Sequence, residues 1–111
     1  MGKSYSSKWI IQRITALLLV PLTFWFIFHS ISFQHANYFE ILLFFDSYIN
    51  SFLFLIMMIA MLVHAKLGCE TIVEDYVSSI NLNKSIKSLI NLITLFMIII
   101  SIIAIIKITI F

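Results

Sequence analysis

Long apolar stretches separated by short polar ones dominate the chain. A hydrocarbon core about 30 Å thick requires roughly 20 apolar residues in a helix. Three stretches meet this requirement, at about residues 14–33, 48–67 and 88–106. Pro21 lies inside the first, where a membrane helix tolerates it when neighbouring groups satisfy the freed carbonyl. The pattern predicts an all-α integral membrane protein with three transmembrane helices, forming a single membrane-anchor domain over residues 1–111.

The two segments between these stretches differ in character. The first, after residue 33, is polar and lacks Lys and Arg; its apolar run Ile41–Phe45 is too short to cross a bilayer and is expected at the interface. The second runs from Gly68 to Lys87 and is expected to form a polar connector beyond Tyr76. The third apolar stretch then follows, with no ionisable side chain.

Positive residues are unevenly distributed, and Lys and Arg stay preferentially on the cytoplasmic side. Six of the seven lie before the first stretch or around the second connection: Lys3, Lys8, Arg13, Lys66, Lys84 and Lys87. Lys107 alone lies at the opposite end. The distribution predicts a cytoplasmic N-terminus.

Composition narrows the class of protein further. Apolar residues make up 62% of the chain and charged residues 11%, which excludes a water-soluble domain. A net charge of +2 gives no continuous basic face for phosphates, so no nucleic-acid partner is expected. The lone Cys69 cannot form an internal disulfide.

His64 is the sharpest candidate, because an ionisable group at membrane depth suggests a function. Ala60 and Gly68 lie one turn to either side on the same helix face, where small residues allow a flat group to approach. The imidazole can be a neutral hydrogen-bonding group or a ligand of haem iron. These residues alone leave both readings open. His29 and His35 lie at the other end, where we expect them to reach water.

Asp75 and Tyr76 form a second candidate pair. A continuous helix from His64 would carry them about 16 to 18 Å along its axis, to the cytoplasmic interface. There a phenol can donate a hydrogen bond and a carboxylate can pass protons, or the pair can simply solvate a helix end. Arg13, near the same interface, is either a snorkelling anchor or a cation aimed at an acidic group of an assembly.

These segments match a known family. His64-Ala65-Lys66-Leu67-Gly68, followed by Val73-Glu74-Asp75-Tyr76-Val77, resembles the second helix of the small membrane-anchor subunit of succinate dehydrogenase, in respiratory complex II. Trp9 to Ala16 resembles the start of its first helix. The resemblance covers essentially the whole chain. Lys66, two residues after the candidate histidine, is expected to point away from it toward lipid or the interface.

The resemblance implies a subunit that is not an enzyme on its own. It would pair with the other membrane-anchor subunit of complex II and dock the flavoprotein and iron–sulfur subunits, in the bacterial inner membrane or its mitochondrial equivalent. It implies that His64 is an axial ligand of a haem b shared with that second anchor and that Tyr76 binds ubiquinone. Asp75 would belong to the proton path, and Arg13 would lie near the haem propionates or the quinone pocket. The competing hypotheses are a fumarate reductase anchor and a non-redox membrane scaffold.

Overall fold

The described part of the chain is built from helices. The computed structural model describes residues 2–111, with side chains from residue 6 onward, so Met1 and the side chain of Lys3 lie outside the described residues. Residues 2–111 contain no strand and form four helices: α1 (Gly2–Phe33), α2 (Tyr38–Asp46), α3 (Tyr48–Tyr76) and α4 (Ile80–Ile110). Among these, α1 from Ser6 onward, α3 and α4 are long and apolar enough to cross a membrane. The all-α membrane fold with three such helices is therefore confirmed.

The three long helices exceed the thickness of a bilayer core. At 1.5 Å per residue, the 29 residues of α3 extend about 43 Å, against about 30 Å of hydrocarbon. The apolar stretches 14–33, 48–67 and 88–106 each lie inside one helix, and α1 continues through Pro21. Polar turns at the helix ends can therefore extend into the interface.

The short helix α2 occupies the segment that we expected only to lie at the interface. Its first turn is capped by Asn37, whose side chain accepts a hydrogen bond from the Glu40 backbone N–H at 2.9 Å. Ser47 ends α2 and caps α3 in turn by accepting from the Asn50 N–H. Phe45 buries its ring. With nine residues, α2 is too short to cross a membrane.

The connection between α3 and α4 is much shorter than the sequence suggested. We expected a polar connector reaching Lys87, but α4 already begins at Ile80, with Ser79 as its N-cap. The Asn83 side chain donates to the carbonyls of Val73 and Val77 at 3.3 Å each. Polar residues in the first turns of α4 therefore belong to a helix that is tied to the end of α3.

Helix α3 lies at the centre of the bundle and packs antiparallel to both neighbours. Its interface with α1 is marked by Lys8 and Glu70 at one end and by Phe26 and Phe54 at the other. Its interface with α4 is marked by Glu74 and Lys87, and at the far end by Thr109, which donates to Ser51 at 2.7 Å. Within the described residues, α1 and α4 share no extensive contact. Helix α3 therefore organises the bundle.

Candidate functional site

The imidazole of His64 contacts a residue that the sequence did not single out. Thr15 on α1 places its Oγ1 atom 3.1 Å from His64 Nδ1, across the α1–α3 interface. Thr15 is buried, at 7% exposure, and His64 is half-buried. The Thr15 hydroxyl also lies 2.9 Å from the Ile11 carbonyl and 3.0 Å from the Gln12 carbonyl, one turn earlier on its own helix. Thr15 thus links the candidate histidine to α1.

Small residues allow the two helices to approach beside this contact. Ala60 is buried, and Gly68 lies beside Gln12, where an added Cβ would make an ordinary contact with the Gln12 Nε2 atom at 3.9 Å. The Oε1 atom of Gln12 is buried and has no hydrogen-bond partner among the described residues. The small residues predicted on the His64 face therefore do lie on both sides of it, and Gly68 lies beside a polar side chain of α1.

Asp75 and Tyr76 lie in the last turn of α3, which is continuous from His64 onward. Both side chains are exposed, Tyr76 at 83%. Neither has a side-chain hydrogen bond to another described residue. The rise of the helix separates Tyr76 from His64 by about 18 Å along the axis. The structure therefore does not bring these candidates into one pocket, and both remain open to a partner.

An ion-pair network joins α1, α3 and α4 at this end of the bundle, which we call the charged end. The Lys8 ammonium lies 3.3 Å from Glu70 and 3.6 Å from Glu74, and Lys87 lies 2.6 Å from Glu74. Lys66 lies 3.4 Å from Glu70 on its own helix. We expected Lys66 to point away from His64 toward lipid or the interface; it lies beside Glu70 at the charged end, and the Glu70 side chain is only 9% exposed. A buried carboxylate attracts a second cation because the low dielectric strengthens the interaction.

Arg13 is exposed on the outside of α1. Its guanidinium lies 5.1 Å from the ring centre of Trp9, one turn earlier, in a cation–π arrangement. No acidic side chain among residues 6–111 lies within ion-pair distance of it. Within this chain, Arg13 therefore keeps its charge directed outward.

The opposite end of the bundle is lined by aromatic rings, and we call it the aromatic end. His29 lies there with its ring centre 4.9 Å from Phe44, 5.1 Å from Trp25 and 5.4 Å from Phe28. We expected His29 to reach water; it is half-buried, and one of the rings against it, Phe44, comes from α2. His35 is exposed, as expected. Neither histidine belongs to the His64 site.

The comparison with known protein families agrees with this architecture. A family model described as "Succinate dehydrogenase/Fumarate reductase transmembrane subunit" matches residues 3–105. The chain belongs to this family. The resemblance seen in the sequence is thereby confirmed at the level of the family.

Individual relatives of this chain have a more specific name than the family description. A "Succinate dehydrogenase hydrophobic membrane anchor subunit" of Rickettsia bellii (strain RML369-C) is 33% identical over 85 residues, covering 77% of this chain and 68% of the relative. A protein of the same name from Rickettsia prowazekii (strain Madrid E) is 28% identical over 85 residues, with the same coverage of both chains.

The residues at His64 fit the haem b that the resemblance implies. An axial histidine coordinates through one ring nitrogen, while the other is commonly held by a hydrogen bond. Here Thr15 holds Nδ1, which is the only ring nitrogen of His64 with a hydrogen-bond contact among the described residues. No group of three or more metal-ligating side chains occurs in the described part of the chain. His64 is thus suited to supply a single ligand through Nε2.

Proposed function

We propose that this chain is the membrane-anchor subunit of a succinate:quinone oxidoreductase. In that role it helps to hold haem b and ubiquinone and docks the flavoprotein and iron–sulfur subunits, while succinate oxidation takes place in those subunits. Membership of the family and the names of the rickettsial relatives support an anchor role. The cytoplasmic N-terminus and a location in the bacterial inner membrane or mitochondrial equivalent belong to the same proposal.

One observation carries the haem assignment: His64 has one ring nitrogen engaged by Thr15 and the other without a partner among the described residues. His64 would hold the haem through Nε2, together with a histidine supplied by the second membrane-anchor subunit. When bound, the haem provides a one-electron redox centre within the membrane. Ala60 and Gly68 lie one turn to either side of the imidazole and add no bulky side chain there.

Tyr76 and Asp75 are proposed to serve ubiquinone at the charged end. The Tyr76 hydroxyl donates a hydrogen bond to a quinone carbonyl oxygen and so stabilises the negative charge that develops on reduction. Asp75 takes up a proton from water and delivers it toward the same oxygen; it is one of the two protons that accompany the two electrons, since each quinone oxygen gains one proton in the quinol. The exposure of both side chains leaves them accessible to quinone and to the subunits that complete the pocket.

Arg13 is proposed to act at the same end. Its outward guanidinium can pair with a haem propionate or line the quinone pocket, because a guanidinium matches a carboxylate in a bidentate ion pair. The neighbouring ion-pair network holds α1, α3 and α4 together where the soluble subunits are proposed to dock. In this proposal the chain positions the haem, the quinone and the soluble subunits, while the soluble subunits oxidise succinate.

The test is a reduced-minus-oxidised visible spectrum of the purified complex, comparing wild type with His64→Ala. We expect a b-type band in the wild type and its loss in the variant. His29→Ala is the matched control, because His29 is also half-buried but lies at the aromatic end, and it should retain the band. A His64→Ala complex with an unchanged band, or a wild type without any band, contradicts the haem assignment.

Turnover in both directions separates the remaining functions. The family description covers fumarate reductases as well as succinate dehydrogenases, although the named relatives are succinate dehydrogenases. We expect succinate-dependent quinone reduction to exceed quinol-dependent fumarate reduction. The reverse ratio identifies a fumarate reductase anchor, and indifference of both activities to His64 and Tyr76 substitutions identifies a non-redox scaffold.

A further inference from the structure

We infer that Thr15 is a positioning residue, which fixes the tautomer of His64 so that Nε2 presents its lone pair to a metal. The inference rests on the proposed role of His64 as a haem ligand and extends it to a residue on another helix. It follows from counting the hydrogen atoms and lone pairs around the Thr15 hydroxyl.

A threonine hydroxyl has one hydrogen to donate and two lone pairs to accept with. The Ile11 and Gln12 carbonyl oxygens, at 2.9 Å and 3.0 Å, can only accept, so the hydrogen of Thr15 points toward them. The lone pairs of Thr15 remain for its third neighbour, His64 Nδ1, at 3.1 Å. Nδ1 must therefore carry the hydrogen and donate it to Thr15.

The opposite tautomer would be penalised at this position. It would turn the Nδ1 lone pair toward an oxygen whose own hydrogen is already directed elsewhere. Thr15 is buried, so little water is available to relieve that repulsion. A neutral imidazole with its hydrogen on Nδ1 has its lone pair on Nε2, which makes no hydrogen bond to another described residue.

The surrounding contacts keep the two helices in this register. Gly68 meets Gln12 one turn from His64, and Lys8 meets Glu70 farther toward the charged end. Because Thr15 and His64 lie on different helices, the hydrogen bond also fixes the ring orientation relative to α1. Helix α1 thus contributes to the ligand geometry without itself touching the metal.

A hydrogen bond from Nδ1–H makes an axial imidazole a stronger electron donor, which favours ferric over ferrous iron. Removal of the acceptor should therefore raise the haem midpoint potential. We expect a three- to tenfold change in the ferric-to-ferrous preference, and tenfold corresponds to about 59 mV for one electron. Loss of ring orientation should also lower the haem content, because support of this kind typically changes metal affinity by about 10- to 100-fold.

The experiment uses the purified complex with Thr15→Val, which removes the hydroxyl at nearly constant volume, and Thr15→Ser, which retains it. Thr15→Ala provides a second hydroxyl-free variant with less bulk at the helix interface. Thr23→Val is the matched control, since Thr23 lies on the same helix and is exposed. The haem midpoint potential is measured by redox titration, and the haem-to-flavin ratio is measured after a detergent wash.

We expect both hydroxyl-free variants to raise the potential and lose haem, while Thr15→Ser and Thr23→Val match the wild type. Val and Ala variants with wild-type potentials, or potentials that move in opposite directions, overturn the inference and leave the ligand assignment standing. A Thr15→Ser complex that behaves like Thr15→Val also overturns it, since the effect then comes from packing. A wild type without haem defeats both the ligand assignment and the inference.

Discussion

The two candidate sites lie on the same helix, yet the chain prepares them differently. His64 is half-buried and already held through Nδ1 by a residue from α1, whereas Tyr76, in the last turn, is 83% exposed and has no such contact among the described residues. The geometry at His64 is therefore built within this chain. The surroundings of Tyr76 must come from the assembled complex. Substitutions at the two positions should accordingly differ in what they disturb.

The largest effect that separates the two sites is expected from Tyr76→Phe. Loss of the hydroxyl removes the proposed hydrogen bond to quinone and should lower succinate–quinone turnover about 100-fold. Electron transfer from succinate to a soluble dye and the haem spectrum should stay unchanged, since the His64 contact is remote. Tyr48→Phe, at the other end of α3 and also exposed, is the control. Full quinone turnover in Tyr76→Phe would remove Tyr76 from the site.

A smaller effect is expected from Asp75→Asn, which removes the proposed proton carrier and keeps its shape. Quinone turnover should fall about tenfold, less than for a fully enclosed acid, because Asp75 is exposed and water can supply protons directly. A small weak acid in the buffer should restore part of the rate. Asp46→Asn, exposed at the end of α2, should have no effect. Absence of rescue, or an equal loss in Asp46→Asn, would contradict the proton-path role.

The smallest expected effect concerns Glu70, which lies between the two sites on α3. Glu70→Gln removes the charge of a side chain that is 9% exposed and faces Lys8 and Lys66, and loss of this charge-assisted hydrogen bond should destabilise the assembled complex by about 1.5–3 kcal/mol. Glu74→Gln should cost about 0–1 kcal/mol, because Glu74 is 41% exposed.

Thermal inactivation of dye-linked succinate oxidation, followed at low and high salt, measures this difference. Salt should narrow the gap between wild type and Glu74→Gln more than that between wild type and Glu70→Gln, since a buried pair is screened less. Equal destabilisation by the two substitutions would show that burial at Glu70 does not strengthen its ion pairs.

Periodicity and length were sufficient to predict the three long helices, because about 20 apolar residues have few alternatives in a bilayer. They placed the second span at about residues 48–67, whereas α3 continues to Tyr76. The short helix α2 was missed as a helix, although Asn37 followed by Glu40 is a recognisable capping signal. The early start of α4 was missed because its first turns are polar, and Ser79 was the available signal.

The sequence predicted the parts of the candidate site that depend on spacing within a single helix, and it did not predict contacts between helices. Ala60, His64 and Gly68 share a face by helical spacing alone. The Thr15 contact depends on the register between α1 and α3, which a single sequence does not specify. Lys66 differs from Thr15 in this respect: Glu70 follows it by four residues on the same helix, so their contact is predictable from helical spacing, and only the burial of Glu70 depends on how the helices pack.

The central position of α3 also sets an order of events during synthesis. Helix α1 packs against α3. Roughly 40 residues lie between the last residue of α1 and the last residue of α3, and a ribosome adds them in about 2–8 s. For that interval α1 must reside in the bilayer without its packing partner. During this time the Thr15 hydroxyl donates its hydrogen to carbonyls of its own helix. Helix α1 therefore exposes no unpaired hydrogen-bond donor at Thr15 to the lipid. The nascent chain thus presents the acceptor first, and the imidazole that donates to it arrives later.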